Sequence, residues 1–319
     1  MSMKLNALLL LMAAAGVVHA QETVTFEIAG VVAAGTKIEL IRDGFKGTEG
    51  PLGLPDGSLV FTETQANRIT RIGPDGTLST FLENTNGANG LALARDGTLF
   101  AVQVAQTRVG AIHPAGRVKT LADAYKGLGF VRPNDLVLDR RGGIYFTDSG
   151  AAPGAPPAPD AASKGKPAVY YIAAGGAVER LVGDIERPNG IQLSPDEKVL
   201  YVANTAGEHV LAFDVVSDGR LANRRNFARL EGWRTTETGA TSSGADGLAV
   251  DAAGRLYVAS TAGVQVFSPA GASLGVIALP KAPQNLAFAG PDKKTLYVVG
   301  RGSAYKLALL TPGFGGRAK

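Results

Sequence analysis

A two-run unit repeats six times along the chain, and no other feature restricts the fold as much. Its clearest copy, residues 132–149, reads RPNDLVLDRRGGIYFTDS. A polar opening is followed by an alternating apolar run, a charged turn with glycine, and a second alternating run. The copies start LPDGSLVFTET at Leu54, LARDGTLFAVQ at Leu93, LDRRGGIYFTDS at Leu138, LSPDEKVLYVANT at Leu193, VDAAGRLYVAS at Val250 and FAGPDKKTLYVVG at Phe288. Successive starts lie 39, 45, 55, 57 and 38 residues apart. Period-two alternation puts one face of each run in a core, and the Gly- or Asp-containing break between runs marks a β-hairpin.

A second hairpin follows each of the first five units, beginning near Arg68, Arg108, Ala168, His209 and Gly263. Two hairpins make a four-stranded antiparallel sheet. Six such sheets predict an all-β fold, a six-bladed β-propeller with four antiparallel strands per blade. An open sandwich needs no six near-equivalent units. The sixth unit has only a third strand, SAYKLALL, before the chain runs into TPGFGGRAK. KIELIRDGF, residues 37–45, is therefore expected to complete the last blade and close the ring. TVTFEIA, residues 23–29, is expected to pair outside that closing strand.

The first twenty residues stand apart. Lys4, a 12-residue apolar run over 7–18, and Val18-His19-Ala20 resemble a secretory signal cleaved before Gln21. That run is too short to span a bilayer, which takes about 20 residues. The expectation is a signal peptide over 1–20 and one propeller domain over 21–319, monomeric and periplasmic or secreted, with no membrane association after cleavage. The absence of Cys excludes disulfides, thiolate metal sites and Cys nucleophiles. A net charge of +4 with no Lys/Arg run gives no footing for nucleic acid. Two stretches break the repeat: the Ala/Pro/Gly-rich residues 150–167 and the polar residues 233–245. Both are expected on the ligand-binding face, as covers of its entrance.

The openers of the first strands carry the chemistry. They are Glu49-Gly50-Pro51, Asn89-Gly90-Leu91, Asn134-Asp135-Leu136, Asn189-Gly190-Ile191, Asp246-Gly247-Leu248 and Gln284-Asn285-Leu286. Glu49 stands one residue out of step with the others. In a propeller the first strand of each blade lines the central channel, so equivalent positions converge on one axis. The convergent set is two carboxylates, Glu49 and Asp246, with amides from Asn89, Asn134 and Asn189 and one from Gln284 or Asn285. Oxygen donors with two negative charges suit a hard divalent cation, Ca²⁺ first, with Zn²⁺, Mg²⁺ and Mn²⁺ as alternatives. A His- or Cys-built zinc site is disfavoured, because His113 and His209 fall in second hairpins away from the axis. Taken singly, Asn-Gly and Asp-Gly are common turn dipeptides. Their recurrence at one structural position is what favours a site.

With these residues in view, the chain resembles the gluconolactonase/regucalcin (senescence marker protein) family of six-bladed propellers. The resemblance lies in TEGPLGLPDG, ANGLALARDGTLF, RPNDLVLDRRGGIYFTD, ERPNGIQLSPDEKVLYVANT, ADGLAVDAAGRLYVA and NLAFAGPDKKTLYV, and spans nearly all of residues 40–310. It implies a metal-dependent hydrolase opening a sugar lactone or another small lactone. Glu49, Asn134, Asn189 and Asp246 would be its metal ligands. Asp246 would also be the general base, and Arg132 and Asn89 would contact the substrate. Two other readings remain open: a non-enzymatic ligand- or protein-binding propeller with a structural Ca²⁺, and an organophosphate or phosphoester hydrolase on the same scaffold.

Overall fold

The computed structural model describes residues 23–151, 160–237 and 239–319. The proposed signal, residues 1–20, lies outside the described residues, as do residues 152–159 of the Pro-rich stretch.

Six four-stranded antiparallel sheets follow one another as the blades of a propeller. Their innermost strands are Thr48–Gly53, Ala88–Leu93, Pro133–Leu138, Pro188–Leu193, Leu248–Val250 and Asn285–Ala289. In blades 1 to 5 the remaining strands follow outward in chain order. The hairpin turns use the predicted chemistry: in blade 1, Asp56 Oδ1 accepts from Ser58 N at 3.0 Å, and Gly57 takes the left-handed φ of 85° that closes the turn.

The core is divided into six clusters, one at each blade-to-blade seam. At the seam of blades 3 and 4, for example, Val137, Tyr145, Ile191, Leu200 and Phe213 are buried together. The recurring second-strand aromatics Tyr145, Tyr201, Tyr257 and Tyr297 all lie in these seams, as the repeat suggests. Burying whole aromatic rings between sheets is what holds neighbouring blades together.

Blade 6 is closed from the other end of the chain. Glu39–Asp43 pairs antiparallel with Ser303–Ala308, with Leu40 opposite Tyr305 and Asp43 opposite Ser303. The preceding residues do not add a fifth strand. Val24 bridges Lys37, and Ile28, Val31 and Val32 fold over the seam of blades 5 and 6. Their apolar side chains find burial there rather than along a sheet edge.

The tail after Leu310 has a role that its sequence does not announce. It crosses the end of the channel opposite the openers: Phe314 N donates to Val250 O at 3.1 Å, Gly53 N to Ala318 O at 3.0 Å, and Arg317 Nη2 to Ser194 O at 2.9 Å. Lys319 then enters the channel, where its side chain is only 5% exposed.

Candidate metal centre

In blades 1 to 4 the openers sit in the inner strands rather than in turns, whereas Asp246 stands two residues before its strand. In blades 1 to 4 each lies at a β-bulge, between Glu49 and Leu52, Ala88 and Leu91, Pro133 and Leu136, and Pro188 and Ile191. A bulge places two residues against one and re-aims the side chain there. In blade 1 the bulge contains Gly50 at φ 46°.

The glycine after each opener serves contact between blades. A Cβ on Gly50 would lie 2.0 Å from Asn89 O, one on Gly190 2.1 Å from Asp246 O, and one on Gly247 2.0 Å from Asn285 Oδ1. In these blades only glycine lets successive inner strands approach so closely. Asp135 replaces glycine in blade 3 and is wholly buried.

Glu49, Asn89, Asn134 and Asn189 are 7%, 4%, 7% and 5% exposed, and Asp246 is half-buried. Hydrogen bonds from neighbouring blades hold the ring. Thr62 Oγ1 donates to Asn89 O at 2.9 Å, Asn89 Nδ2 to Asn134 O at 2.8 Å, and Thr147 Oγ1 to Asn189 O at 2.6 Å. Thr205 Oγ1 accepts from Asn189 Nδ2 at 3.0 Å and donates to Ala245 O at 2.8 Å. Sequence reasoning passed over these threonines. For Thr62 and Thr147 the signal was the Phe-Thr-acid triplet at 61–63 and again at 146–148; Thr205, in Asn-Thr-Ala, lacks it.

Blade 6 departs from expectation. Gln284 Nε2 and Asn285 Nδ2 donate to Glu49 Oε1 and Oε2 at 3.3 and 3.1 Å. Their own oxygens accept from Arg301 N and Leu286 N, at 2.8 and 2.9 Å. Both amides therefore orient Glu49 instead of offering an oxygen to the axis.

Among the described residues, Asn134 Oδ1, Asn189 Oδ1 and Asp246 Oδ1 are buried without any hydrogen-bond partner. Leaving a buried oxygen unpaired costs roughly 1–3 kcal/mol, so three in one place demand an explanation. Burial pushes the Glu49 carboxyl up, only partly offset by Asn285, while Asp135 raises it and Lys319 lowers it. Asp246 is pushed well above the carboxylate range, first by burial, then by repulsion from Glu49 and Asp135. Partnerless oxygens beside two mutually repelling carboxylates fit a hard divalent cation. No group of three or more His, Cys, Asp or Glu side chains suited to a metal occurs among the described residues; this set rests on two carboxylates and two amides.

Arg132 is exposed at the rim, its backbone N–H held by Asp148 Oδ1 at 2.7 Å. Residues 233–245 carry a short hairpin, Arg234–Thr235 with Thr241–Ser242, beside a cavity of about 460 Å³ that Arg187 also lines.

The fold is a six-bladed propeller, and its ring of openers is a candidate site. The chain belongs to the family described as SMP-30/Gluconolactonase/LRE-like region, which matches residues 47–301. A gluconolactonase of Zymomonas mobilis is 28% identical over 284 residues, covering 82% of this chain and 78% of that protein. The pentonolactonase XacC of Haloferax volcanii is 25% identical, covering 80% and 81%. The solved structure of a gluconolactonase from Xanthomonas campestris superposes with a TM-score of 0.76 at 26% identity, covering 91% of this chain and 95% of that one. A calcium-binding regucalcin from Agrobacterium tumefaciens shares the fold, with a TM-score of 0.67 at 20% identity over 90% and 95% of the two chains.

Proposed function

We propose that this protein is a lactonase, opening a sugar lactone or another small lactone at a divalent cation held by Glu49, Asn134, Asn189 and Asp246. The observation that carries the reading is the gathering of three partnerless buried oxygens beside Glu49. Two carboxylates offset the charge of the ion, and two amide oxygens extend the shell without adding repulsion, which suits Ca²⁺. The lactonase names of the Zymomonas, Haloferax and Xanthomonas relatives support the reaction class.

When bound, the cation supplies a Lewis acid that polarises the ester carbonyl. Asp246 takes the proton of the attacking water. The water oxygen bonds to the carbonyl carbon and the ring C–O bond breaks. The proton ends on the released hydroxyl, leaving a hydroxy acid. Asn89 spends its Nδ2 on Asn134 O and keeps Oδ1 to accept from a substrate hydroxyl. Arg132 reaches the substrate from the rim. The export signal read in residues 1–20 supports action in the periplasm or outside the cell.

The test couples metal analysis of the purified protein to a panel of aldonolactones and simple lactones, with Ca²⁺ or Zn²⁺ supplied. Bound divalent metal is expected, with ring opening that EDTA and Asp246→Asn both abolish. Metal binding without turnover of any lactone would make this a binding propeller and overturn the reading.

A further inference from the structure

Two arginines hold the same place in adjacent blades. Arg132-Pro133-Asn134 opens blade 3 and Arg187-Pro188-Asn189 opens blade 4. Their backbones are clamped alike. Arg132 N donates to Asp148 Oδ1 at 2.7 Å, and Arg132 O accepts from Ser149 N at 3.1 Å. Arg187 N donates to Asn204 Oδ1 at 3.2 Å, and Arg187 O accepts from Thr205 N at 3.0 Å. Each arginine thus stands two residues before a buried amide whose oxygen lacks a partner.

Neither guanidinium forms an ion pair among the described residues, whereas Arg68, Arg71, Arg224 and Arg225 on the blade exteriors all do. Arg132 is exposed and makes no side-chain hydrogen bond there. Arg187 is half-buried, and its one bond is Nη1 to Ala151 O at 3.3 Å. Pro133–Leu138 and Pro188–Leu193 pack side by side, so these two like charges stand at equivalent positions at the same end of the channel, beyond the carboxylates that a bound divalent cation would neutralise. Arg187 also lines the 460 Å³ cavity, with the hydroxyls of Ser149, Thr205, Thr241 and Ser242 and the exposed carboxylate of Glu186. Thr205 belongs to both cavity and ring, through its contact with Asn189. Ser149, Thr205 and Ser242 already donate their hydroxyl protons to Pro188 O, Ala245 O and Thr205 O, so they present acceptor lone pairs to a polyol chain, and a planar guanidinium fork matches an oxyanion.

We propose that the substrate is an acid-bearing lactone, whose anionic substituent lies between Arg132 and Arg187 while its ester faces the ring of oxygens. This rests on the lactonase reading and names the substrate class within it. The sugar-like chain occupies the hydroxyl-lined cavity.

The probes are D-glucono-1,5-lactone and its carboxylate-bearing counterpart D-glucaro-1,4-lactone. The wild-type protein is expected to show the lower KM for glucarolactone. That KM should climb with added NaCl, while the KM for gluconolactone stays flat, because only the charged contact is screened. Arg187→Gln is expected to lower kcat/KM for glucarolactone by roughly tenfold more than for gluconolactone, the loss of one charge-assisted contact. An equal loss on both lactones, or no preference and no salt dependence in the wild type, overturns the proposal and leaves the lactonase reading standing. Calorimetry with glucarate and the uncharged polyol D-glucitol in metal-free buffer separates the two ideas further. Glucarate binding that Arg187→Gln removes upholds the acid subsite even if no lactone is hydrolysed. Glucarate binding no tighter than that of glucitol, or unchanged by the substitution, counts against the subsite.

Discussion

Lys319 Nζ meets Asp135 Oδ2 inside the channel, with side chains 5% and 1% exposed. Asp135 stands where blades 1, 2, 4 and 5 carry Gly50, Gly90, Gly190 and Gly247. The one carboxylate in that layer is neutralised by a cation delivered from the far end of the chain, and Gln192 Nε2 anchors the same residue through Lys319 O at 3.4 Å. Removing one partner of a buried pair typically costs about 3–5 kcal/mol, because the other charge is left alone. Lys319→Met should lose stability on that scale in chemical denaturation. Adding Asp135→Asn should restore most of it. The single variant should also bind Ca²⁺ more tightly, since a negative charge beneath Glu49 is uncovered, and the double variant should return toward wild type. A single variant that unfolds with the wild type would show that the pair is not closed in solution.

Glu49 and Asp246 are both pushed up, chiefly by burial. Their protonated forms are favoured in the folded protein, so the metal-free fold binds more protons than the unfolded chain. Stability from these groups is therefore full below the ordinary carboxylate range and is lost as pH rises through the elevated folded values. In EDTA the melting temperature should fall between about pH 5 and pH 8. Added Ca²⁺ displaces the protons, so its stabilising shift should be larger at the higher pH. Asp246→Asn should flatten both trends. A calcium shift equal at both pH values would separate these carboxylates from the ion.

Repetition made most of the ring legible. Asn89, Asn134, Asn189 and Asp246 stand four residues before the aligned apolar residue of their units, and a propeller turns that spacing into convergence. Glu49 stands five residues before Leu54, one out of step, and reads as the opener of the first unit. The register alone could not tell which end of the Gln284 and Asn285 amides faces the axis; the hydrogen bonds of Arg301 N and Leu286 N decide it. Residues 311–319 have no periodicity, and their contacts reach over more than a hundred positions, as from Arg317 to Ser194. Such pairings depend on the closed ring and leave no local trace.

Gly190→Ala tests the close approach between blades. Its added methyl would lie 2.1 Å from Asp246 O and 3.0 Å from Gly247 Cα, both backbone atoms that cannot rotate away. Crowding of this kind costs about 1–3 kcal/mol and shifts the backbone. Because the atom struck belongs to Asp246, calcium affinity and lactone turnover should both fall. Gly116→Ala has open space around it and should change stability by less than about 0.5 kcal/mol. Equal behaviour of the two variants would remove the glycine layer from the account of the site.

Asn134→Ala separates a ligand from a scaffold residue by the sign of its effect. Asn134 Oδ1 is buried with no hydrogen-bond partner among the described residues. A scaffold amide that loses its oxygen gives up a contact and destabilises the fold. An oxygen reserved for a cation instead carries a burial penalty until the ion arrives, so deleting it should relieve the metal-free protein. In EDTA the variant is expected to be no less stable than wild type by more than about 1 kcal/mol. With calcium the order should reverse. An ion bound only to the folded state stabilises it by about 2.7 kcal/mol at a hundredfold excess over Kd, and loss of a ligand lowers that gain. Paired thermal melts with EDTA and with CaCl₂ read both effects. A variant that is weaker in EDTA yet keeps the full calcium shift would place Asn134 in the scaffold.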